Sequence, residues 1–212
     1  MKHSRIMNYC WFQVSGILVI GSSYWSSSSS SSVEFWSPAN NTKEESRTLA
    51  DYPRNIYGND PIYGPTANFV AGHLVACFAE SCERYDNGAW IKIADTRSRR
   101  FYHSSAQSDD RILLIGGIES RSTEWIPMDG GPSEQGSFDV RHGGSHCTIQ
   151  VSSDVIVVTG GFKTYDYVTE YKLAGDATET VMTPLITGRY GHACGVYRQA
   201  DGQQVIMILF HK

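Results

Sequence analysis

The chain has 212 residues, enough for one ample domain with a real core, and a formal net charge of −4. That balance argues against the basic face of a nucleic-acid binder, and no stretch approaches the roughly 20 apolar residues of a membrane-spanning helix. Twenty glycines, twelve tyrosines and 12 % aromatic residues against 19 % charged ones suit many short strands joined by tight turns.

In chain order, Lys2, His3 and Arg5 precede the apolar run CWFQVSGILVIGSS. Basic residues before an apolar run loosely mimic a secretory signal, but Gln13 and Ser15 interrupt it and no clean small-x-small cleavage pattern follows. Residues 1–15 are expected to be a disordered or weakly signal-like segment. From Gly16 the run reads as a strand, followed by an aromatic-rich partner at Val33-Glu34-Phe35-Trp36. The seven serines 26–32 read as a flexible loop inserted between those two strands. Residues 37–65 read as a long connection with one outer strand, and its sequon Asn40-Asn41-Thr42 matters only if the chain is secreted. Composition leaves the compartment open between cytoplasmic and secreted.

Beyond this the sequence repeats itself. Segments 102–127 and 145–173 each begin at a histidine (His103, His146). Each then passes an acidic turn (Asp109-Asp110, Asp154) into a β-favouring run that ends in a glycine pair. Each resumes with Thr-Glu-aromatic: Thr123-Glu124-Trp125 and Thr169-Glu170-Tyr171. The pairs Gly116-Gly117 and Gly160-Gly161 stand 44 residues apart, within the range of repeats that stack into larger folds. A third copy opens at His192 and has Val205–Leu209 in the strand position. An earlier copy spans 66–95, with Cys77-Phe78-Ala79 in place of the glycines and Tyr85 and Trp90 as its aromatics. Alternation such as Ser122–Ile126 predicts one face on a neighbouring sheet and one toward water.

An apolar strand closed by Gly-Gly, then a Tyr and a Trp on the following strands, resembles the kelch repeat. The resemblance covers most of residues 16–210 and is clearest over 100–173. It implies an all-β, kelch-type β-propeller of four-stranded antiparallel blades. The expected units are 16–65 (partial, carrying the serine insertion), 66–95, 100–140, 141–185 and 189–212, the last cut short. Six blades would need roughly 250–300 residues at this period, so an incomplete arc, a fragment of a larger propeller, is expected.

Candidate chemistry is sparse. A P-loop needs Gly-x4-Gly-Lys-[Ser/Thr] before a helix, and the glycine pairs offer neither. His142, His146 and Cys147 form the densest set of metal donors. Their turn context, and a histidine position shared with His103 and His192, favour structural bonding to the adjoining turn, so no metal or other cofactor is expected. Cys77 and Cys82 are close enough to bridge a hairpin in an oxidising compartment; separate thiols are the alternative, and five cysteines do not describe a closed framework. In the implied architecture the loops joining second to third strands, and one blade to the next, share one end. They carry Arg97, Arg99, Arg100, Glu119, Arg121, Arg141 and Arg189. These are candidate contacts for a protein partner, although Arg100 and Arg189, each three residues before a repeat histidine, also suit ion pairs between blades. The resemblance implies a non-enzymatic protein–protein interaction scaffold. The alternative it carries is a secreted carbohydrate-active or copper-oxidase-like propeller of the galactose oxidase type.

Overall fold

The structure, a computed structural model, describes three strands near the N-terminus and residues 64–173, 178–199 and 201–209. The described chain is all β. Sheet 1 contains β1 (Asn8–Phe12), β2 (Gly16–Ile20) and β3 (Val33–Trp36), and sheet 2 contains β4 (Thr66–Val70), β5 (His73–Cys77), β6 (Ser81–Asp86) and β7 (Ala89–Asp95). Sheet 3 follows with β8 (Ser104–Gln107), β9 (Arg111–Ile115), β10 (Ser122–Pro127) and β11 (Glu134–Asp139). Sheet 4 has β12 (Cys147–Ser152), β13 (Val155–Thr159), β14 (Val168–Lys172) and β15 (Thr178–Val181); sheet 5 is the hairpin β16 (Ala193–Arg198) with β17 (Gln204–Leu209).

Every sheet is an antiparallel meander in sequence order, as short turns between consecutive strands require. The first strands β1, β4, β8, β12 and β16 touch in succession, so the sheets are arranged like the blades of a β-propeller. Among the described residues they do not close into a ring.

The apolar runs form strands because both of their faces are covered. Ile112, Leu113, Leu114 and Ile115 of β9 are all fully buried. Their side chains alternate: Ile112 and Leu114 join Val70, Val75, Cys77, Cys82 and Ile93 of sheet 2, whereas Leu113 and Ile115 join Ile156, Val158 and Tyr171 of sheet 4. Burial of four such side chains contributes roughly 6–12 kcal/mol as an upper bound. A single sheet could not supply both covers, so neighbouring sheets stabilise one another.

Three expectations need correction. The chain pairs from Asn8 onward, with Asn8 opposite Ile20, so the first sheet begins inside the segment expected to lie outside the fold, and much of the apolar N-terminal run is strands β1 and β2. β10 is not half-wet: Thr123, Glu124 and Ile126 are all buried. The two Thr-Glu-aromatic motifs also do not coincide. Gly116 N bonds Ser122 O and Gly160 N bonds Tyr167 O, so the loop of sheet 4 is one residue longer. Ile112 faces Ile126, Ile156 faces Tyr171 and Leu74 faces Tyr85. The equivalent positions are therefore Tyr85, Ile126 and Tyr171, and Trp125 stands one place earlier, beneath the Arg111 guanidinium. The serine run and the sequon lie outside the described residues.

Candidate functional site on the loop face

The second-to-third-strand loops (78–80, 116–121, 160–167) and the connections between sheets (96–103, 140–146, 182–192) meet at one end. Their geometry is set by a left-handed residue two places before each first strand: Gly64, Tyr102, Ser145 and Gly191, with φ of 59°, 54°, 62° and 62°. Left-handed backbone is costly away from glycine. Here it is held by bonds from turn to turn, Ser145 N to Tyr102 O at 2.8 Å and Gly191 N to Ser145 O at 2.7 Å.

The next residue is the repeat histidine. His103 Nδ1 donates to Arg100 O at 3.1 Å and His146 Nδ1 to Gly143 O at 2.8 Å. A carbonyl can only accept, so the proton sits on Nδ1 and Nε2 is the acceptor. Nε2 meets a hydroxyl of the preceding sheet: Thr66 for His103, Ser104 for His146 and Thr159 for His192. Burial holds the three imidazoles neutral, lowering them to about 4, about 3 and about 4, with the Gly143 carbonyl opposing at His146 and the Arg189 charge adding to the effect at His192. Pro65 occupies the corresponding place before β4.

The glycine pairs lie against these histidines. A Cβ on Gly116 would stand 3.0 Å from His146 Cε1, and one on Gly160 2.7 Å from His192 Cε1, both at φ near 60°. The first glycine of each pair is thus the socket into which the next sheet's histidine seats, while the second packs on the connection that enters its own sheet, Gly117 against Phe101 O and Gly161 against Gly143 O.

Arg100 is 1 % exposed, so it is not a contact for a partner. Its Nε and Nη2 pair with Glu124 at 3.1 Å, Nη1 donates to the carbonyls of Gly116 and Ser122, and Nη2 donates to Ser122 Oγ. The ion pair lies within one unit, between the connection that enters sheet 3 and that sheet's own third strand. In sheet 4 the same work falls to His142, which donates from Nδ1 to Gly160 O at 2.7 Å and accepts at Nε2 from Thr169 Oγ1 at 3.0 Å. Thr169 stands where Glu124 does in the register. Carboxylate with guanidinium and hydroxyl with imidazole are two solutions for one buried position.

The three metal-donor candidates are therefore engaged otherwise. Both nitrogens of His142 and of His146 are hydrogen-bonded, and Cys147 is joined to Cys194. Among the described residues no group of three or more His, Cys, Asp or Glu side chains is placed to hold a metal ion. Cys77 and Cys82, opposite one another on β5 and β6, also form a disulfide.

Arg97, Arg99, Glu119, Arg121 and Arg141 are exposed and Arg189 is half-buried. The contacts of Arg97, Arg99 and Arg141 go to three different partners. Arg99 pairs with Glu80 at 3.0 Å and Arg141 with Glu179, while Arg97 Nη1 reaches Ser133 O. What the loop end does gather was not singled out from sequence. Phe162 and Tyr165 of the loop 160–167 meet Tyr190 of the connection 182–192, with ring centroids 5.7–6.3 Å apart at steep angles. The three are 41–60 % exposed, and Ile118 and Ile186 are exposed on neighbouring loops. Backbone bonds fix the cluster: Phe162 N to Gly144 O, Arg189 N to Tyr165 O and Gly161 N to Arg189 O. The signal available in sequence was the loop itself, Phe162-Lys163-Thr164-Tyr165-Asp166-Tyr167, which is far more aromatic than its counterpart Ile118-Glu119-Ser120-Arg121. An open groove of about 520 Å³ also runs between Lys92–Asp95 and Gly130–Ser133, at the outer strands of sheets 2 and 3.

No protein-family model matches the chain, and no curated protein matches it. Among solved structures the fold is similar to that of YjhT, a β-propeller, with a TM-score of 0.72. The match covers 91 % of this chain and 69 % of that one at 11 % identity. At that identity the likeness concerns architecture alone: the chain has a β-propeller-like fold. No helix among the described residues is long and apolar enough to cross a membrane.

Proposed function

We propose that this chain is the scaffold portion of a kelch-type β-propeller that binds another protein through its loop face and performs no catalysis. The observation that carries the reading is the exposed cluster of Phe162, Tyr165 and Tyr190. Aromatic side chains of this kind are characteristic centres of protein interfaces. Arg121, Arg141, Glu119 and Asp166, charged residues of the same loops and connections, would supply a polar rim. Kelch type is supported by the glycine sockets, the histidines His103, His146 and His192 of three successive connections, and the aromatic position shared by Tyr85 and Tyr171. The oxidase alternative has weaker support, because His103, His142 and His146 each spend both ring nitrogens on backbone carbonyls and hydroxyl groups.

The test is a proximity-labelling comparison of the wild type with the F162S/Y165S/Y190S variant. A partner enriched by the wild type and lost by a variant of unchanged melting curve supports the reading. Equal recovery by both places the contact elsewhere. Stoichiometric copper or zinc on the purified chain would overturn the non-catalytic part.

A further inference from the structure

The two disulfides occupy different settings. Cys77 and Cys82 are fully buried in the core shared by sheets 2 and 3. Cys147 and Cys194 are half-buried and join the first strands of sheets 4 and 5.

Their position in the repeat explains what the second disulfide does. Cys147 follows its repeat histidine by one residue and Cys194 follows His192 by two. At the junction of sheets 3 and 4 those two positions are Ser104 and Thr148, and their hydroxyls are hydrogen-bonded to one another. The covalent bond thus stands where the preceding junction uses a hydrogen bond.

The two junctions differ in packing. Sheet 4 brings Ile156, Val158 and Tyr171 into a core with sheet 3, whereas no residue of β16 or β17 belongs to either core cluster. Tyr197, Val205 and Met207 are exposed. Among the described residues, hydrogen bonds from sheet 4 tie down the connection as far as His192: Met182 N to Val168 O, Leu185 N to Asp166 O, Gly191 N to Ser145 O and Thr159 Oγ1 with His192 Nε2. From residue 193 to 209 the disulfide and the packing of β16 on β12 remain.

We propose that Cys147–Cys194 is a redox latch that docks the β16–β17 hairpin on sheet 4, and that a dithiol reductant opens it while Cys77–Cys82 stays closed. In the opening step a reductant thiolate attacks one Sγ and breaks the sulfur–sulfur bond, leaving a mixed disulfide and one protein thiolate. The second reductant thiolate then attacks the reductant's own sulfur in that mixed disulfide and releases the other cysteine. Two electrons pass to Cys147 and Cys194, the reductant's two protons end on their thiols, and the reductant leaves as a disulfide. The proposal is independent of what the loop face binds.

The test is a dithiothreitol titration of the intact chain, quenched with N-ethylmaleimide and read by peptide mass spectrometry together with amide hydrogen exchange. Cys147 and Cys194 should be alkylated at reductant levels that leave Cys77 and Cys82 unlabelled. Amides of 193–209 should then exchange at least tenfold faster, with β9 and β13 unchanged and protection regained on reoxidation. The C147A/C194A variant should show the released hairpin without reductant, and C147S/C194T, which installs the side-chain pair of the preceding junction, should recover part of the protection. Protection of 193–209 that survives complete alkylation of Cys147 and Cys194 overturns the latch. Reduction of Cys77–Cys82 first overturns its selectivity.

Discussion

Replacing Arg100 with methionine removes a cation that the fold holds in five contacts while keeping most of the side-chain volume. The Glu124 carboxylate, 1 % exposed, loses both of its guanidinium bonds, and the carbonyls of Gly116 and Ser122 lose a donor in the same stroke. Stranding one member of a buried pair costs about 3–5 kcal/mol. For a chain of this size that corresponds to a fall in melting temperature of roughly 6–20 °C. Urea denaturation followed by tryptophan fluorescence measures it, since Trp125 is the residue after Glu124 on β10. The R100M/E124L double variant removes the stranded charge and should recover part of the loss, although the two carbonyls still lack the Arg100 donor. Arg141→Ala is the control. Its pair with Glu179 is largely exposed on the arginine side, and an exposed pair is worth 1 kcal/mol or less. An Arg100→Met variant within about 1 kcal/mol of wild type would refute the claim that this pair organises sheet 3.

The repeat histidines make stability pH-dependent. His103, His146 and His192 titrate near 4, 3 and 4 when folded, against 6.5 for a free imidazole. The unfolded chain therefore takes up protons first, and stability is complete above pH 6.5 and is lost as pH falls toward 4. Each histidine contributes a loss of about 1.4 kcal/mol between pH 8 and 5.5, roughly 4 kcal/mol together. Burial raises the Glu83 carboxyl and acts with the opposite sign. A melting temperature that does not change over this range in thermal scans would contradict the assignment. Gly160→Ala and Gly72→Ala form a second contrast. Both residues have positive φ, but a Cβ at Gly160 strikes the Arg189 carbonyl and His192 whereas one at Gly72 meets nothing within 4 Å. Chemical denaturation should show a cost of about 1 kcal/mol at Gly72 and at least about 3 kcal/mol at Gly160.

Much of the fold could be read along the chain because it is locally encoded. Ile112–Ile115 and Val155–Thr159 are β-branched and aliphatic runs closed by glycine pairs, and their spacing marks sheets 3 and 4. Register could not be read this way. Thr123-Glu124-Trp125 and Thr169-Glu170-Tyr171 look alike as text, yet a loop one residue longer shifts the second motif, so Ile126 and Tyr171 share a position. The aromatic loop 162–167 could be read, but not the cluster, because Phe162 and Tyr165 meet Tyr190 only through the fold of two separate loops.

The sequence by itself determined most of the strands from Gly16 onward, the repeat and the glycine conformations, all of which follow from side-chain shape and the backbone angles of neighbouring residues. Only the tertiary structure decided which polar groups face one another. Arg100 was legible as a charged loop residue and became a buried strut; Cys147 was legible as a metal donor and became half of a bond to Cys194. The physical reason is the same in both cases. Successive units bury each other's faces, and a side chain's role depends on the unit beside it, whose register along the junction no local pattern specifies.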